Sequence, residues 1–305
     1  MKPAFIINNR NKGAHVYRCV AAALAQTYPC EIIVADFSST DNSRDEIKRA
    51  IAHAPKAADH TVRYIEKDEP TEATMLAVNL AIKWMCEQTK AEWIFQCSSD
   101  DYSLPDRVKV CMAQLERLKA EGLDCDGIAT TMRFEDPAQP GLTAISGYPT
   151  ESGFVSGGIG IHRMAFGSTI WAYRKSFLEK AGLEVSCTLD VYLGYLAALG
   201  KGYYVIANPQ HVHYMAQDAD NIGFQGKMRA AEKAGDQETI HRINELNRFQ
   251  LFELYLQTAA RAQHLYPLAH ELDRQAMTQM LVNQAVGWYG ERKQLHDKKI
   301  QPGMI

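Results

Sequence analysis

The sequence lacks any apolar run near the roughly 20 residues that a membrane-spanning helix requires. Its seven cysteines are scattered along the chain and never form a C-x-x-C pair, which argues against a disulfide framework and a structural zinc site. The formal net charge is only −3, so the chain as a whole does not attract nucleic acid or an anionic membrane. Internal repeats and low-complexity tracts are also missing. These absences predict a globular protein of the reducing cytoplasm.

What is present is typical of a folded α/β protein. The chain has 305 residues, of which 46% are hydrophobic and 23% charged, as in ordinary globular domains. This length allows one large domain or a domain with an appendage. The apolar segment at residues 4–7 is too short for the core of a signal peptide, and it predicts a first strand instead.

Short β-branched runs alternate with helical spacing through the first hundred residues. Strands are predicted at residues 4–7, 31–35, 61–65 and 93–96, and helices at 14–27, from about 43, and at 71–86. This alternation favours a mostly parallel sheet with right-handed crossovers and helices on its faces.

The second half of the chain carries further elements and then changes character. Helices are predicted at 107–119, 175–181 and 189–199, strands at 127–132, 169–174 and 203–206, and a long loop at 136–160. After residue 215 a polar stretch leads into sequence that is helical to the end. We therefore expect an α/β domain over residues 1–215. Residues 216–305 would form a mobile loop and a helical extension, which is also a candidate dimerisation element.

Polar clusters follow three of the predicted strands, at residues 8–11, 36–41 and 98–101. In open α/β sheets ligands bind beyond the carboxyl ends of the strands, so three clusters at one edge predict a site. The last cluster contains the neighbouring acids Asp100 and Asp101, and carboxylates of this kind hold hard divalent cations together with substrate phosphates. The alternative is a set of ordinary turns, since Ser, Asn, Asp and Pro are turn residues.

Several stretches in this order resemble a known family. They are VADFSSTDNS at 34–43, Asn79, SDD at 99–101 with Pro105, GSTIWAYRKSFLEKAG at 167–182 and LDVYL at 189–193. Over about residues 3–215 the chain resembles family 2 glycosyltransferases, whose fold is the Rossmann-like GT-A fold. It departs from the family pattern at Phe37, Ser98 and Leu189, where the family usually has acids.

The resemblance implies a transferase that moves a sugar from a nucleotide-diphosphate donor, with a UDP-sugar favoured, and inverts the anomeric centre. The acceptor would be a saccharide hydroxyl of a growing polysaccharide or a glycolipid, with the enzyme cytoplasmic or peripheral to the inner membrane. Mn²⁺ or Mg²⁺ would serve as cofactor. Asp101 would contact the metal or the diphosphate, and Asp100 the ribose or the metal.

The remaining site residues each have a structural alternative. Asp36 would accept a hydrogen bond from the base or ribose, or cap the turn that follows it. Asn8 and Arg10 would line the base pocket, or form the turn after the first strand. Trp171 would pack in the acceptor region, or belong to the core.

Two further candidates concern catalysis and the metal. Asp190 matches the position of the family's catalytic carboxylate. As a general base it would take the proton of the acceptor hydroxyl. An aspartate at the start of a helix is otherwise a dipole partner. His211 and His213 would share one face of a strand, and His213 would join Asp101 as a metal ligand. The alternative is a pair of surface or core histidines.

Two rival functions remain open at the level of sequence. The enzyme could glycosylate a modified base in DNA, for which the tail offers basic residues Arg292, Lys293, Lys298 and Lys299. Alternatively, the missing acids could mark a silent relative that binds a nucleotide sugar or scaffolds a partner.

Overall fold

The computed structural model describes residues 2–68, 75–135, 143–145, 151–156, 170–186, 189–214, 231 and 234–266. The strands are β1 (Ala4–Asn9), β2 (Glu31–Phe37), β3 (Thr61–Lys67), β4 (Trp93–Ser98), β5 (Tyr102–Ser103), β6 (Gly127–Glu135), β7 (Thr143–Ile145), β8 (Gly153–Val155), β9 (Trp171–Arg174) and β10 (Tyr203–Tyr214). The helices are α1 (Gly13–Leu24), α2 (Ser43–His53), α3 (Met75–Glu87), α4 (Arg107–Ala120), α5 (Lys175–Ala181), α6 (Leu189–Leu199) and α7 (Gln237–Leu265).

The ten strands of the described residues form one sheet in the order β3-β2-β1-β4-β9-β6-β10-β5, with β7 paired to β6 and β8 paired to β10. The longer strands pair in parallel: β1 with β2 and β4, β2 with β3, and β6 with β10. The short strand β9 runs antiparallel between β4 and β6. The predicted α/β fold with a mostly parallel sheet is confirmed.

Apolar side chains project from both faces of the central strands. Phe5 and Ile7 of β1 pack with α1, α2 and α4 on one face. Ala4 and Ile6, which alternate with them, pack with α3, α5, α6 and α7 on the other. Full burial of an Ile or Phe side chain stabilises a fold by about 1.5–3 kcal/mol, so this doubly covered strand anchors the sheet.

Helix α7 is held against the C-terminal end of α5. Arg261 donates from Nε to the Ala181 carbonyl and from Nη2 to the Lys180 carbonyl, both at 2.7 Å. These are carbonyls that a helix end leaves without an intrahelical partner. Gly182, with φ of 74°, turns the chain away there, as expected for the residue after a helix. The predicted loop at 216–226 lies outside the described residues.

Two segments differ from their predictions. Within the predicted loop at 136–160, the described residues form β7 and β8, which pair antiparallel with β6 and β10. Strands of three residues are too short to show a periodicity. Strand β10 continues past Ile206 to Tyr214, because register shifts around Pro209 accommodate a residue without an N–H.

Burial of His60 predicts a loss of stability in acid. Its Nδ1 accepts a hydrogen bond from the backbone nitrogen of Cys30 at 3.3 Å, and its Nε2 lies 3.1 Å from the carbonyl oxygen of Gln26. Burial lowers the pKa of His60 from the ordinary value of 6.5. Above that value both folded and unfolded states are neutral here. Below it the unfolded chain binds a proton first, so the free energy of unfolding falls as the pH drops through this range.

Denaturant titrations on both sides of this pH would measure the effect. His60→Gln is expected to lose less stability than the wild type on acidification, whereas His53→Gln, an exposed change at the end of α2, should behave as the wild type does. Equal acid sensitivity in all three proteins would show that His60 does not contribute.

Candidate active site

The carboxyl ends of β1, β2 and β4 meet at one edge of the sheet. Asn8 in β1 is in register with Ala35 in β2 and Ser98 in β4. The chain leaves β1 through α1 towards β2, and later returns through β4 on the opposite side of β1. This is the topological switch point at which open α/β sheets bind ligands. The three polar clusters thus lie where the sequence placed them.

Asp36 is fully buried, and its carboxylate is surrounded by donors. It accepts hydrogen bonds from Asn9 Nδ2 at 2.7 Å and from Ser39 N and Oγ at 3.2 and 2.5 Å. Arg44 Nε completes an ion pair at 2.9 Å. Asp36 therefore organises the turn after β2. Asn9 and Arg44 were not singled out from the sequence, because their shared partner becomes visible only when β1, β2 and α2 are assembled.

The turns after β1 and β2 are tied together beside this carboxylate. Asp41 accepts from the backbone N–H of Gly13 at 2.8 Å and of Ser43 at 3.0 Å. Burial acts to raise the pKa of Asp41, but these hydrogen bonds outweigh it and the pKa is lowered. A Cβ at Gly13 would lie 1.8 Å from Asn42 Oδ1, so a larger residue there would displace the Asn42 side chain where the two turns touch.

Asn8 and Arg10 lie at the end of β1, both partly buried. Among the described residues, the buried Oδ1 of Asn8 has no hydrogen-bond partner. An amide oxygen left in this state costs free energy unless a ligand or water pairs with it. Its position at the switch point makes it a candidate contact for a donor group on a bound molecule.

The acidic pair after β4 is split between two environments. Asp100 Oδ2 lies 3.2 Å from Lys12 Nζ, and its side chain is 20% exposed. Asp101 is only 2% exposed, and its Oδ2 lies 3.2 Å from His211 Nε2. Asp100 therefore faces the edge of the sheet, and Asp101 lies behind it against β10.

The histidine that reaches Asp101 is His211, two residues before the predicted metal ligand. His211 is fully buried, and β10 brings it there by pairing antiparallel with β5, His211 opposite Ser103. The backbone of His213 lies in β10 opposite Phe134, but its side chain lies outside the described part of the structure. Residues 211–213 lie in a strand, as predicted; the shared face of the two imidazoles and the pairing of Asp101 with His213 stay predictions.

A fully buried arginine lies beneath the acidic pair. Arg107 donates from Nη1 to the Gln96 carbonyl at 3.0 Å and to Ser103 Oγ at 2.9 Å, and from Nη2 to the Trp171 carbonyl at 3.1 Å. It therefore links β4, β5 and β9. The sequence showed it only as the first residue of a helix, and gave no signal that its guanidinium turns into the core.

Asp190 lies in the first turn of α6, partly buried. Burial raises the pKa of Tyr173, and the nearby negative charge of Asp190 raises it further. Tyr173 stacks on Trp171 with ring centroids 5.2 Å apart. Trp171 is 1% exposed and also meets Tyr203 edge-on, so it is a core aromatic and not an exposed acceptor platform.

The acidic pair can bind a divalent cation if the substrate supplies some of the ligands. Within the described residues, no group of three or more His, Cys, Asp or Glu side chains is placed to hold a metal ion. Cations such as Mg²⁺ are often bound by one or two carboxylates, with substrate phosphates and water supplying the other ligands. Asp100 and Asp101 can supply that carboxylate set.

A family comparison identifies the domain that carries this site. The model of glycosyl transferase family 2 matches residues 4–181, which include β1 to β4, the acidic pair and α5. The chain belongs to glycosyl transferase family 2. The glycosyltransferase domain thus covers the whole switch-point edge, and the resemblance found in the sequence is confirmed.

Curated proteins with related sequences include a chondroitin synthase and a protein of succinoglycan biosynthesis. Chondroitin synthase from Pasteurella multocida (strain Pm70) is 29% identical over 196 residues, which are 63% of this chain and 18% of that protein. The chain therefore spans less than a fifth of that synthase. The succinoglycan biosynthesis protein ExoU from Rhizobium meliloti (strain 1021) is 28% identical over 299 residues, covering 88% of this chain and 77% of that protein.

A solved structure shares the fold of this chain. S. aureus TarS 1-349 in complex with UDP-GlcNAc superposes with a TM-score of 0.57 at 14% identity, covering 96% of this chain and 92% of that chain. At this identity the likeness concerns the fold alone, and it agrees with the predicted GT-A architecture. None of the helices in the described residues is long and apolar enough to cross a membrane.

Proposed function

We propose that this family 2 domain transfers a sugar from a nucleotide-diphosphate donor, a UDP-sugar, to an acceptor hydroxyl with inversion. One observation carries the proposal: the polar ends of β1, β2 and β4 converge at the switch point of a family 2 domain. The acceptor is a saccharide of a growing polysaccharide or a glycolipid. Support for this class comes from the relatives, which are named for chondroitin and succinoglycan synthesis.

The donor nucleotide would lie across the ends of β1 and β2. The buried Oδ1 of Asn8 needs a donor group, which a base or a ribose hydroxyl supplies. Arg10 and the Asp36 turn flank the same end of the sheet. Asp36 acts there mainly through Asn9 and Arg44, and its contact with the base or ribose remains part of the proposal.

The diphosphate would lie over the acidic pair. Asp100 and Asp101 would hold Mn²⁺ or Mg²⁺ together with the diphosphate oxygens, and His213 is a further candidate ligand. When bound, the cation neutralises charge that builds up on the leaving diphosphate. Because Lys12 already pairs with Asp100, the protein alone should bind the cation weakly.

Asp190 would act as the general base. As the acceptor oxygen forms its bond to the anomeric carbon, the bond from that carbon to the diphosphate oxygen breaks and the nucleoside diphosphate leaves. The carboxylate of Asp190 takes the proton of the acceptor hydroxyl. Attack on the face opposite the leaving group inverts the anomeric centre.

We further propose a cytoplasmic location, free or peripheral to the inner membrane, with the C-terminal helices as a contact between two copies. The six cysteines in the described residues are all buried and form no disulfide bonds with one another, which supports a reducing compartment. The family 2 domain would extend to about residue 215, with the rest as loop and helical extension.

Thermal shifts test the donor site. UDP with Mn²⁺ is expected to raise the melting temperature more than either alone, because the cation and the diphosphate complete each other's ligands. At a free ligand concentration roughly 100 times Kd the stabilisation is about 2.7 kcal/mol. GDP, CMP and dTDP sugars serve as the comparison panel, and Asp100→Asn should remove the cooperation with Mn²⁺.

Two outcomes would count against the proposal. If no nucleotide sugar shifts the melting temperature, the donor site is wrong. If a donor binds but no nucleoside diphosphate is released with any saccharide acceptor, the protein is a silent relative and not a transferase.

A further inference from the structure

A chain of four buried polar side chains runs from α4 to the acidic pair. Arg107 Nη1 lies 2.9 Å from Ser103 Oγ, Ser103 Oγ lies 3.5 Å from His211 Nδ1, and His211 Nε2 lies 3.2 Å from Asp101 Oδ2. None of the four is more than 3% exposed. These hydrogen bonds join His211 to three side chains of the segment 101–107, and they end at the carboxylate behind Asp100.

The chemistry of the two end groups gives this chain a direction. A guanidinium can only donate, so Ser103 Oγ accepts from Arg107. Ser103 keeps its own hydroxyl proton to donate, and the ionised carboxylate of Asp101 at the other end can only accept. In the arrangement that satisfies both ends, His211 Nδ1 carries no proton and accepts from Ser103 Oγ. A neutral imidazole has its proton on the other nitrogen, so Nε2–H of His211 donates to the Asp101 carboxylate.

The same chain pairs two buried charges at a distance. Burial lowers the pKa of Arg107, and the negative charge of Asp101 opposes that change. A charge taken out of water is costly unless it is paired and hydrogen-bonded. Ser103 and His211 connect the guanidinium to the carboxylate, so the two charges compensate each other through two neutral side chains.

We propose that Ser103 and His211 are positioning residues that hold Asp101 as an oriented carboxylate at the donor edge, with His211 in its Nε2–H form. The consequence for substrate, that the diphosphate and its cation bind more tightly when the chain is intact, rests on the proposed function. The assignment of the His211 tautomer does not depend on the proposed function. Hydrogen-bonded partners behind a metal-binding carboxylate commonly change metal affinity about 10- to 100-fold.

The first test is the ¹⁵N spectrum of histidine-labelled protein at neutral pH without ligand, with His211 assigned by its loss in His211→Gln. We expect the Nε2–H tautomer in the wild type and a mixture with the Nδ1–H tautomer in Ser103→Ala. Ser103→Thr, which keeps the hydroxyl, should restore the wild-type signal. An Nδ1–H tautomer or an imidazolium in the wild type, or a spectrum unchanged in Ser103→Ala, would overturn the assignment.

The second test is titration calorimetry of UDP in the presence of Mn²⁺. Ser103→Ala is expected to bind about 10- to 100-fold more weakly than the wild type, and Ser103→Thr to recover most of the loss. Equal affinity in Ser103→Ala would refute the positioning role. Should Ser103→Ala fold poorly, Ser103→Cys keeps the shape of the side chain and replaces the hydroxyl with a thiol, which is a much weaker donor. If the wild type binds no UDP, the proposed function fails, and the spectrum alone decides the tautomer.

Discussion

Replacing Asp190 by asparagine is expected to lower kcat for sugar transfer by about 100- to 10,000-fold, the usual contribution of a general base. The side chain keeps its size but can no longer accept the proton of the acceptor hydroxyl. The affinity for UDP with Mn²⁺ should stay close to that of the wild type, because Asp190 belongs to α6 and not to the donor edge at β1, β2 and β4. Measuring UDP release with a saccharide acceptor gives kcat.

Glu179→Gln is the matched control for this prediction. Glu179 is an exposed acid on α5, and it pairs only loosely with Lys175 at 3.7 Å, so the variant should keep the wild-type rate. If Asp190→Asn transfers sugar at the wild-type rate, the base lies elsewhere. If it also loses UDP binding, the substitution has disturbed the site and the rate cannot be assigned to proton transfer.

Removing the buried arginine is expected to cause the largest loss of stability. Arg107→Ala deletes the donor to three buried acceptors on β4, β5 and β9, and it removes a buried positive charge that interacts with Asp101. Breaking a buried charge interaction from one side typically lowers the free energy of unfolding by about 3–5 kcal/mol. Urea denaturation followed by circular dichroism measures this loss.

The same helix provides the control. Arg117 is 69% exposed and pairs with Glu121 at 2.9 Å one turn away, so Arg117→Ala should cost only about 0.3–0.5 kcal/mol. Similar losses for both variants would mean that the guanidinium of Arg107 contributes no more than a surface group. A large loss of stability for Arg107→Ala alone would show that this guanidinium holds β4, β5 and β9 together.

Local patterns in the sequence were sufficient for much of the fold. The bounds of α5 and α6 agree with their predictions to the residue, because apolar spacing and the glycines at 182 and 200 define both helices. The switch-point edge was also predictable, since strand ends followed by Asn, Asp and Ser are visible in the chain. Each of these features depends on neighbours within a few residues.

The partners of the site residues could not be predicted in the same way. His211 and Asp101 are 110 positions apart, and they meet only because β10 extends past Pro209 and pairs with β5. Arg107 has the sequence context of a solvent-exposed helix start, yet it turns inward towards β4, β5 and β9, and its partner in β9 comes 64 residues later in the chain. Periodicity reports which face of an element is apolar, but not which distant side chain completes a polar contact.

Asp36 illustrates how two interpretations can both survive. The sequence allowed a nucleotide contact or a turn cap, and the structure shows four donors that hold the carboxylate within the turn. A role in donor binding would then operate through the shape of the turn. The sequence motif alone does not reveal this role, because the shape of the turn depends on partners such as Asn9 and Arg44 that lie outside the turn.

The antiparallel strand at the middle of the sheet has a consequence for how the protein is made. Before residues 171–174 are synthesised, β4 can pair with β1 on one side but has an open edge on the other. On that edge the later partners of Ile94 and Phe95 are Tyr173 and Ala172. An open edge of this kind invites pairing with other chains. Strands β1 to β4 are therefore synthesised well before β9 covers the free edge of β4, and that edge stays open to aggregation until β9 is available.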